Sequence, residues 1–458
     1  MNKQWDIIVA GGGMSGLCAA ISAAELGASV LLIEKAEEVG GNANLSAGMM
    51  WTFKEYEKIR EYIPNGDSEL QNLLASNIQS TLAWLENYGL PIGVPEQVAG
   101  EAWGRCMNVG KAGDRRSFTQ KMVEVLRSLG AAVELNTSIK QIEYNQLDEQ
   151  VIVEVENKGQ SVKYLASSLV IATGGFVANP DMLERYLGKY AKNLMIRSIP
   201  SCTGDGIQLA LQMGAETSGD MGTFYGHTMP CAEIPPEEFQ PITPYFARCS
   251  VLIDKHGKRF TDESKGKLEE TNPQAAMNLP DGEYYLIFDE RIYQEYGINQ
   301  NLAASLPKAD LLKRMIELGA TVLSAPSINE LADELERIGV NRQNMINVIA
   351  EYNDYCKDLN KDIFPPKVQN RIPLNVPPYY AVKCVPAISC TFGGLKIDNQ
   401  FRVLNKKQEA LPGIYACGLD AGGVFQTYYA GGLAWSAVSG KKAGQSAFSY
   451  VRSSALKR

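Results

Sequence analysis

The chain of 458 residues contains only two histidines, His227 and His256, which excludes a histidine-rich metal centre and leaves a Ser-His triad few choices of base. Its nine cysteines, at positions 18, 106, 202, 231, 249, 356, 384, 390 and 417, are odd in number, scattered and never spaced as Cys-x-x-Cys. That pattern suits reduced thiols and argues against a disulfide frame. No run approaches the ~18 consecutive apolar residues of a spanning helix, so no membrane span is expected. Positive charge is not in excess: 44 Lys and Arg stand against 52 Asp and Glu, a net of -8. A phosphate backbone would meet no broad attractive field, which argues against nucleic acid as a partner. The first residues run into a strand without a basic region or cleavage site, so a cytoplasmic location is expected. With 45% apolar and 21% charged residues, the composition is globular and the length suits two or three domains.

What is present is concentrated first at the N-terminus. Asp6-Ile7-Ile8-Val9-Ala10 reads as a buried parallel strand, Gly11-Gly12-Gly13-Met14-Ser15-Gly16 as a glycine turn, the apolar stretch to about Leu26 as a helix, and Ser29 to Glu34 as a second strand. This is a complete βαβ unit. Gly11 makes the tight turn, Gly13 lets the backbone approach a pyrophosphate, and Gly16 lets helix and strand pack closely. Met14 and Ser15 open the helix, whose free N–H groups and positive dipole end favour the anion. Glu34, 18 residues after Gly16, is placed with Lys35 beside it to accept hydrogen bonds from an adenosine ribose diol, and a carboxylate there disfavours a 2′-phosphate. The constellation points to dinucleotide binding, although a glycine turn alone would be an ordinary loop. NAD and FAD remain to be separated. Gly40-Gly41-Asn42-Ala43-Asn44-Leu45-Ser46-Ala47-Gly48 supplies a second glycine-rich polar stretch where a simple NAD dehydrogenase would return to another βαβ unit.

Further along, apolar positions at helical spacing predict helices over 67–88 and 117–129, and short alternating stretches from Ala132 to Ile171 predict a β-meander with a return strand. Pro230, Pro235, Pro236, Pro241 and Pro244 then mark a change of composition. Ser327 to Glu330 reads as a capping box, and Asn341 starts another helix. After Pro386 strand signals return, and Gly431 to Val451 reads as a helix of small residues. No internal repeat is visible.

Together these residues resemble the flavoprotein family of fumarate reductase and succinate dehydrogenase, which includes the 3-ketosteroid dehydrogenases. The resemblance is carried by the N-terminal fingerprint, the Gly41 to Gly48 segment, Ala172-Thr173-Gly174-Gly175, Thr203-Gly204-Asp205-Gly206-Ile207, Gly257 to Glu263, Thr391 to Ile397 and Pro412 to Gly418. In order and spacing these span nearly the whole chain. The resemblance implies an α/β fold: a Rossmann-like FAD-binding domain, with a parallel sheet plus β-meander, and an inserted α+β capping domain. The expected boundaries are 1–225 and 386–458 for the FAD-binding domain and 226–385 for the cap. It also implies noncovalent FAD, because no histidine stands near Asn42 to Gly48. Beyond the fingerprint, the cofactor residues implied are Gly41, Asn42, Asn44, Ser46, Ala47, Gly48, Thr173, Gly174, Asp205, Gly418, Asp420, Gly432, Leu433 and Ala434. Asp420 stands one position later than the family's usual ribityl-binding acid, where this chain has Leu419.

In this family flavin N5 exchanges a hydride with one carbon of an activated C–C bond while a cap side chain exchanges a proton at its neighbour. The position for that side chain, four after the Glu of Arg259-Phe260-x-x-Glu263, is Lys267; Arg259 and Glu263 read as a scaffolding ion pair. A lysine can move protons if its pKa is lowered, though Lys265 and Lys267 also fit a solvated charged loop. His227 falls where the family has a substrate-binding histidine, or is a satisfied structural residue. The departures are informative. Where a fumarate reductase shows paired histidines this chain has Ser389-Cys390, and in place of a late arginine it has Tyr428-Tyr429 before Gly431-Gly432, which removes the bidentate recognition a dicarboxylate needs. Tyr428, four before Gly432, resembles the ketosteroid dehydrogenases, where a tyrosine hydroxyl and a glycine N–H hold a ketone oxygen. The expectation is an FAD-dependent oxidoreductase interconverting CH–CH and C=C beside a carbonyl, with Lys267, Tyr428, Gly432 and His227 at the reaction. Trp51, Trp103, Phe224, Tyr225 and Phe425 could line an apolar pocket. Alternatives are a reductase of an unsaturated carboxylic acid, with Lys265, Lys267 and His227 as its anion site, an amino-acid oxidase resembling L-aspartate oxidase, and a noncatalytic FAD-binding protein. No metal site is expected. With one dinucleotide fingerprint and no haem or iron-sulfur motif, the expected partners are a small-molecule substrate and a separate electron donor or acceptor: a quinone, oxygen or a reduced carrier.

Overall fold

A computed structural model describes residues 4–98, 101–110, 114–219, 221–266, 270–298, 310–358 and 360–455. The chain divides into two compact units, one of Met1–Tyr186, Ser198–Phe224 and Cys390–Arg458, the other of Leu187–Arg197 and Tyr225–Ser389.

In the first unit, β1 (Gln4–Ala10), α1 (Met14–Glu25) and β2 (Val30–Ile33) form the expected βαβ unit. The central sheet runs in the order Arg402–Leu404, Ala410–Ala416, Gln160–Ile171, β1, β2, Ala132–Glu134. From Ala410–Ala416 to Ala132–Glu134 every pairing is parallel, with Ile8 opposite Leu169 and Ile7 opposite Val30. Such strands are covered on both faces, and Ile7 to Ala10 and Val30 to Ile33 are accordingly apolar and buried throughout. Thr137–Asn145, Gln150–Asn157 and Gln160–Ile171 make the antiparallel meander.

The final helix, Gly432–Ala455, lies against α1 with no room for side chains between them. A Cβ at Gly440 would stand 2.2 Å from the Ser15 carbonyl oxygen and one at Gly444 2.3 Å from that of Ala19. The two helices therefore meet backbone to backbone, which is why the last helix is written in small residues. The helix Ser68–Asn87 starts at Asp67, whose side chain accepts from the N–H groups of Glu69 and Leu70 at 2.9 and 3.0 Å.

The second unit has its own six-stranded sheet, built on the long strand Tyr379–Thr391, which pairs antiparallel with Tyr284–Asp289 and Val322–Ala325 and parallel with Met195–Ile196. Ser327 and Asn341 cap their helices as read from the sequence, accepting from Glu330 N and Asn344 N. Arg259, Asp262, Glu263 and Lys367 form one buried ionisable group in this unit. Glu263 takes Arg259 Nε and Nη2 at 2.8 and 2.6 Å and the Leu252 N–H at 3.1 Å. Lys367, fully buried, lies 3.6 Å from Glu263 and donates to the Ser250 carbonyl, and Asp262 accepts from the Val368 N–H at 3.3 Å. The Pro365 to Gln369 segment is thereby tied to the strand-and-loop motif that contains Arg259.

Removing one member of such a group leaves the others charged and buried. Glu263→Gln is expected to destabilise the folded chain by about 3–5 kcal/mol, the usual scale for breaking a buried ion pair, read as a lower urea midpoint. A loss below about 1 kcal/mol would mean that the group behaves like a solvated one.

Candidate functional site

In the first unit the residues of the fingerprint form a cradle made by backbone. Gly11 has φ +113°, its N–H donates to Ile33 at 2.8 Å, and a Cβ there would stand 2.1 Å from the Ala172 carbonyl oxygen. A Cβ at Gly16 would stand 1.8 Å from the Gly11 carbonyl oxygen, whereas one at Gly13 would meet nothing closer than 3.9 Å. Gly11 and Gly16 are thus forced by packing, while Gly13 leaves open space at the start of α1. No side chain caps that helix, so its first N–H groups and dipole are available to an anion.

Glu34 is buried at the end of β2, accepting from Gly12 N at 2.6 Å and Ala36 N at 2.8 Å. Burial raises its pKa above the ordinary carboxylate range, against the pull of those N–H groups and of Lys35. Lys35 reaches the other way, to Asp205 at 2.9 Å and Thr203 Oγ1 at 2.7 Å. The Thr203 to Ile207 motif is therefore joined to the fingerprint through an ion pair between two of the predicted residues.

The Gly41 to Gly48 segment splits into scaffold and candidate ligands. Asn44 is turned inward, donating to the Val39 carbonyl and accepting from Thr119 Oγ1, both at 2.8 Å. Ser46 bridges its own turn, donating to Ala43 O and accepting from Gly48 N. Asn42 accepts from Ile199 N at 2.8 Å and Ser198 Oγ at 3.0 Å, and among the described residues its buried Nδ2 has no partner. A donor of that kind is costly unless something accepts from it, so Asn42 fits a polar ligand.

Asp420 is fully buried against Thr173 and Gly174. Its carboxylate accepts from the Thr173 N–H, from Gly174 N at 3.0 Å, from Gly175 N at 3.1 Å and from Thr173 Oγ1 at 3.0 Å. Burial pushes its pKa up while these donors pull it down. Gly418 donates to Ser439 and accepts from Trp435 Nε1, both contacts on the final helix. Asp420 thus gathers Thr173 and Gly174, while Gly418 is tied to the final helix.

At the start of the final helix, the hydroxyl that meets the Gly432 N–H is that of Tyr429, at 2.6 Å. Tyr428, the residue picked by spacing, lies instead with its ring 5.0 Å from that of Tyr62. Thr427, with φ +62°, lies between Gln426 and Tyr428, which face each other across a tight reversal. The Tyr429 ring sits among Trp51 at 5.7 Å, Phe425 at 5.2 Å and Phe392 at 6.3 Å, with Leu433 half-buried and Ala434 buried just beyond. Phe392, Phe53 and Tyr62 join Trp51 and Phe425 in this aromatic group. Trp103 lies in the three-stranded sheet opposite Thr52.

In the second unit His227 is buried between the rings of Tyr225 and Tyr245, at 4.6 and 5.4 Å. Burial, and secondarily the charge of Arg197, hold its pKa well below the ordinary imidazole value. Lys267 lies outside the described residues. Arg197 was not singled out from the sequence, because the short strand before it pairs with a segment almost two hundred residues away. Nor was Arg115, buried beside Gly48, since Asp114-Arg115-Arg116 reads as a charged surface turn. Among the described residues there is no cluster fit for a metal ion, and no helix is long and apolar enough to cross a membrane.

An uncapped helix behind a glycine turn, a buried acid closing the second strand and an unpartnered amide donor define a dinucleotide-binding flavoprotein of the Rossmann type. Residues 6–433 match the family described as FAD binding domain, and the chain belongs to it. It is 26% identical to the vinyl phenol reductase of Lactiplantibacillus plantarum, over 99% of this chain and 98% of that protein. It is 27% identical to the fumarate reductase (cytochrome) of Shewanella frigidimarina, over 98% of this chain and 77% of that protein. The fold is that of 3-ketosteroid delta1-dehydrogenase from Sterolibacterium denitrificans, with a TM-score of 0.77 and 18% identity over 98% and 100% of the two chains. The protein is an FAD-dependent oxidoreductase of the fumarate reductase and succinate dehydrogenase type.

Glu34 gives the site a pH signature. If ribose hydroxyls donate to its ionised form, as the sequence motif implies, FAD affinity falls on acidification, beginning above the ~4.3 of an ordinary glutamate. The apoprotein runs the opposite way: its fold holds this proton more tightly than the unfolded chain does, so that contribution to stability is lost as pH rises through the raised pKa. Glu34→Gln should weaken FAD binding roughly tenfold or more and flatten the pH profile of the dissociation constant. An unaltered profile would take Glu34 out of the ribose site.

Proposed function

We propose that this enzyme interconverts CH–CH and C=C on a hydrophobic substrate whose double bond is conjugated to a neutral oxygen function, a ketone in the first instance. Bound FAD supplies hydride exchange with the substrate carbon. The adenosine half is assigned to the α1 cradle and Glu34, and the flavin to Asn42, the Ser46-Ala47-Gly48 turn and the N-terminus of the final helix. The Tyr428 hydroxyl and the Gly432 N–H, released from the Tyr429 hydroxyl to which it donates in this structure, polarise the substrate oxygen, because donors aimed at a carbonyl stabilise the charge that develops on it. Lys267 exchanges the proton at the neighbouring carbon, and His227 serves as a hydrogen-bonding group.

The observation that carries this reading is the lack of basic residues along the stretch that leads into the final helix. The stretch Gly418 to Gly432 contains no Lys, Arg or His, and the rings of Trp51, Phe392 and Phe425 pack around its Tyr429. A vinyl phenol, the substrate in the name of one relative, is likewise an alkene conjugated to an uncharged oxygen group. A second reading, reduction of an unsaturated carboxylate, draws on the fumarate reductase relatives. It would make Lys265 and Lys267 the anion site, with His227 contributing a hydrogen bond.

The two separate in one anaerobic experiment. The holoenzyme is reduced with dithionite just to bleaching, and enones, steroid ketones, 4-vinylphenol and unsaturated acids are added singly while the flavin absorbance is followed. Fast recovery with the neutral alkenes is expected; recovery with acids alone would replace the first reading by the second. Lys267→Met should slow the step by roughly 100-fold or more, in stopped-flow traces at saturating substrate. An unchanged rate removes Lys267 from the proton transfer.

A further inference from the structure

In the first unit Arg115 is a buried cation that no described carboxylate holds by a hydrogen bond. Its side chain is 5% exposed, and its guanidinium donates to carbonyl groups, to Met107 at 2.7 Å and Ala47 at 2.5 Å, with longer contacts to Gly110 and Val109 at 3.3 and 3.4 Å. Cys106 Sγ lies 3.6 Å away. Among the described residues no carboxylate accepts from Arg115, and its Nε has no partner at all. The nearest acid, Asp114, is half-exposed and pairs with Arg116, which also holds Glu38. Burial accordingly pulls the Arg115 pKa down.

The guanidinium is built against one turn. Gly48, at φ +81°, would carry a Cβ 2.4 Å from Arg115 Nε, and the Arg115 N–H donates to the Asn44 carbonyl at 2.9 Å. Gly48 is thus glycine because the charge occupies the space its side chain would need. An ionised group buried among carbonyl dipoles is costly, and an apolar side chain of similar volume would fill the space at less expense to stability. What such a side chain would lack is a positive field at Ser46-Ala47-Gly48.

We propose that Arg115 is an electrostatic positioning residue for the flavin reaction, setting a positive charge behind the Ser46-Ala47-Gly48 turn that favours the reduced, more negative flavin. The proposal rests on the reading that this turn holds the flavin ring. Charge near the ring is one of the few levers a protein has on flavin electronics, and the charge of an arginine does not vary over the working pH range.

The test is the midpoint potential of the FAD-loaded protein, measured for the wild type and for Arg115→Gln and Arg115→Lys. Arg115→Gln keeps a donor for Ala47 and removes the charge. It should lower the preference for reduced over oxidised flavin about tenfold, a fall of ~30 mV for the two-electron couple, while Arg115→Lys stays near the wild-type value. A potential unchanged in Arg115→Gln overturns the proposal, as does loss of FAD from both variants, which would make Arg115 a clamp on carbonyls only. Ser46→Ala serves as the separate check on the reading beneath it. If the flavin spectrum and FAD affinity ignore Ser46→Ala, the turn does not hold the flavin; if they respond while Arg115→Gln leaves the potential alone, only the present inference fails.

Discussion

Backbone pressed directly on backbone is the constraint on which the FAD-binding unit depends. Gly16 lets α1 sit on the carbonyl of Gly11, Gly11 sits on that of Ala172, and Gly440 and Gly444 let the final helix sit on α1. A single Cβ in any of these contacts would overlap a carbonyl oxygen. The result is a layer in which the N-terminus of α1 and the N-terminus of the final helix are both held by strands of the parallel sheet and their loops. Two positive dipole ends are thereby fixed by packing, before any side chain is considered.

The buried charges follow different rules according to what surrounds them. Glu34 and Asp420 are carboxylates held by main-chain N–H groups, so each turns a loop into a rigid cradle. Glu263, Arg259, Lys367 and Asp262 compensate one another within the second unit, and their effect is mechanical: they tie a loop to a strand. Arg115 belongs to neither class, since its hydrogen bonds go to carbonyl groups and to Cys106. In the first unit the rings of Trp51, Phe392 and Phe425 pack around Tyr429.

The amino-acid sequence by itself determined the local elements and the cofactor class. The first strand, its glycine turn and α1 are encoded within thirty-four consecutive residues, the helix at 68–87 by its apolar spacing and Asp67, and the helix after Ser327 by its capping box, because each depends on neighbours a few positions away. The tertiary structure decided what depends on distant partners. It turned Asn44 into scaffold through Thr119 while leaving the Asn42 donor open, spent the Asp420 carboxylate on Thr173 to Gly175, and brought the Tyr429 hydroxyl to Gly432, a contact that spacing cannot show. It placed Leu187–Arg197 with the second unit by a strand pairing across nearly two hundred residues, and it buried Arg115 from a turn whose composition reads as surface. Hydrophobic period and turn chemistry act over a few residues and can be read along the chain, whereas the burial of a charge is set by whatever the fold packs around it.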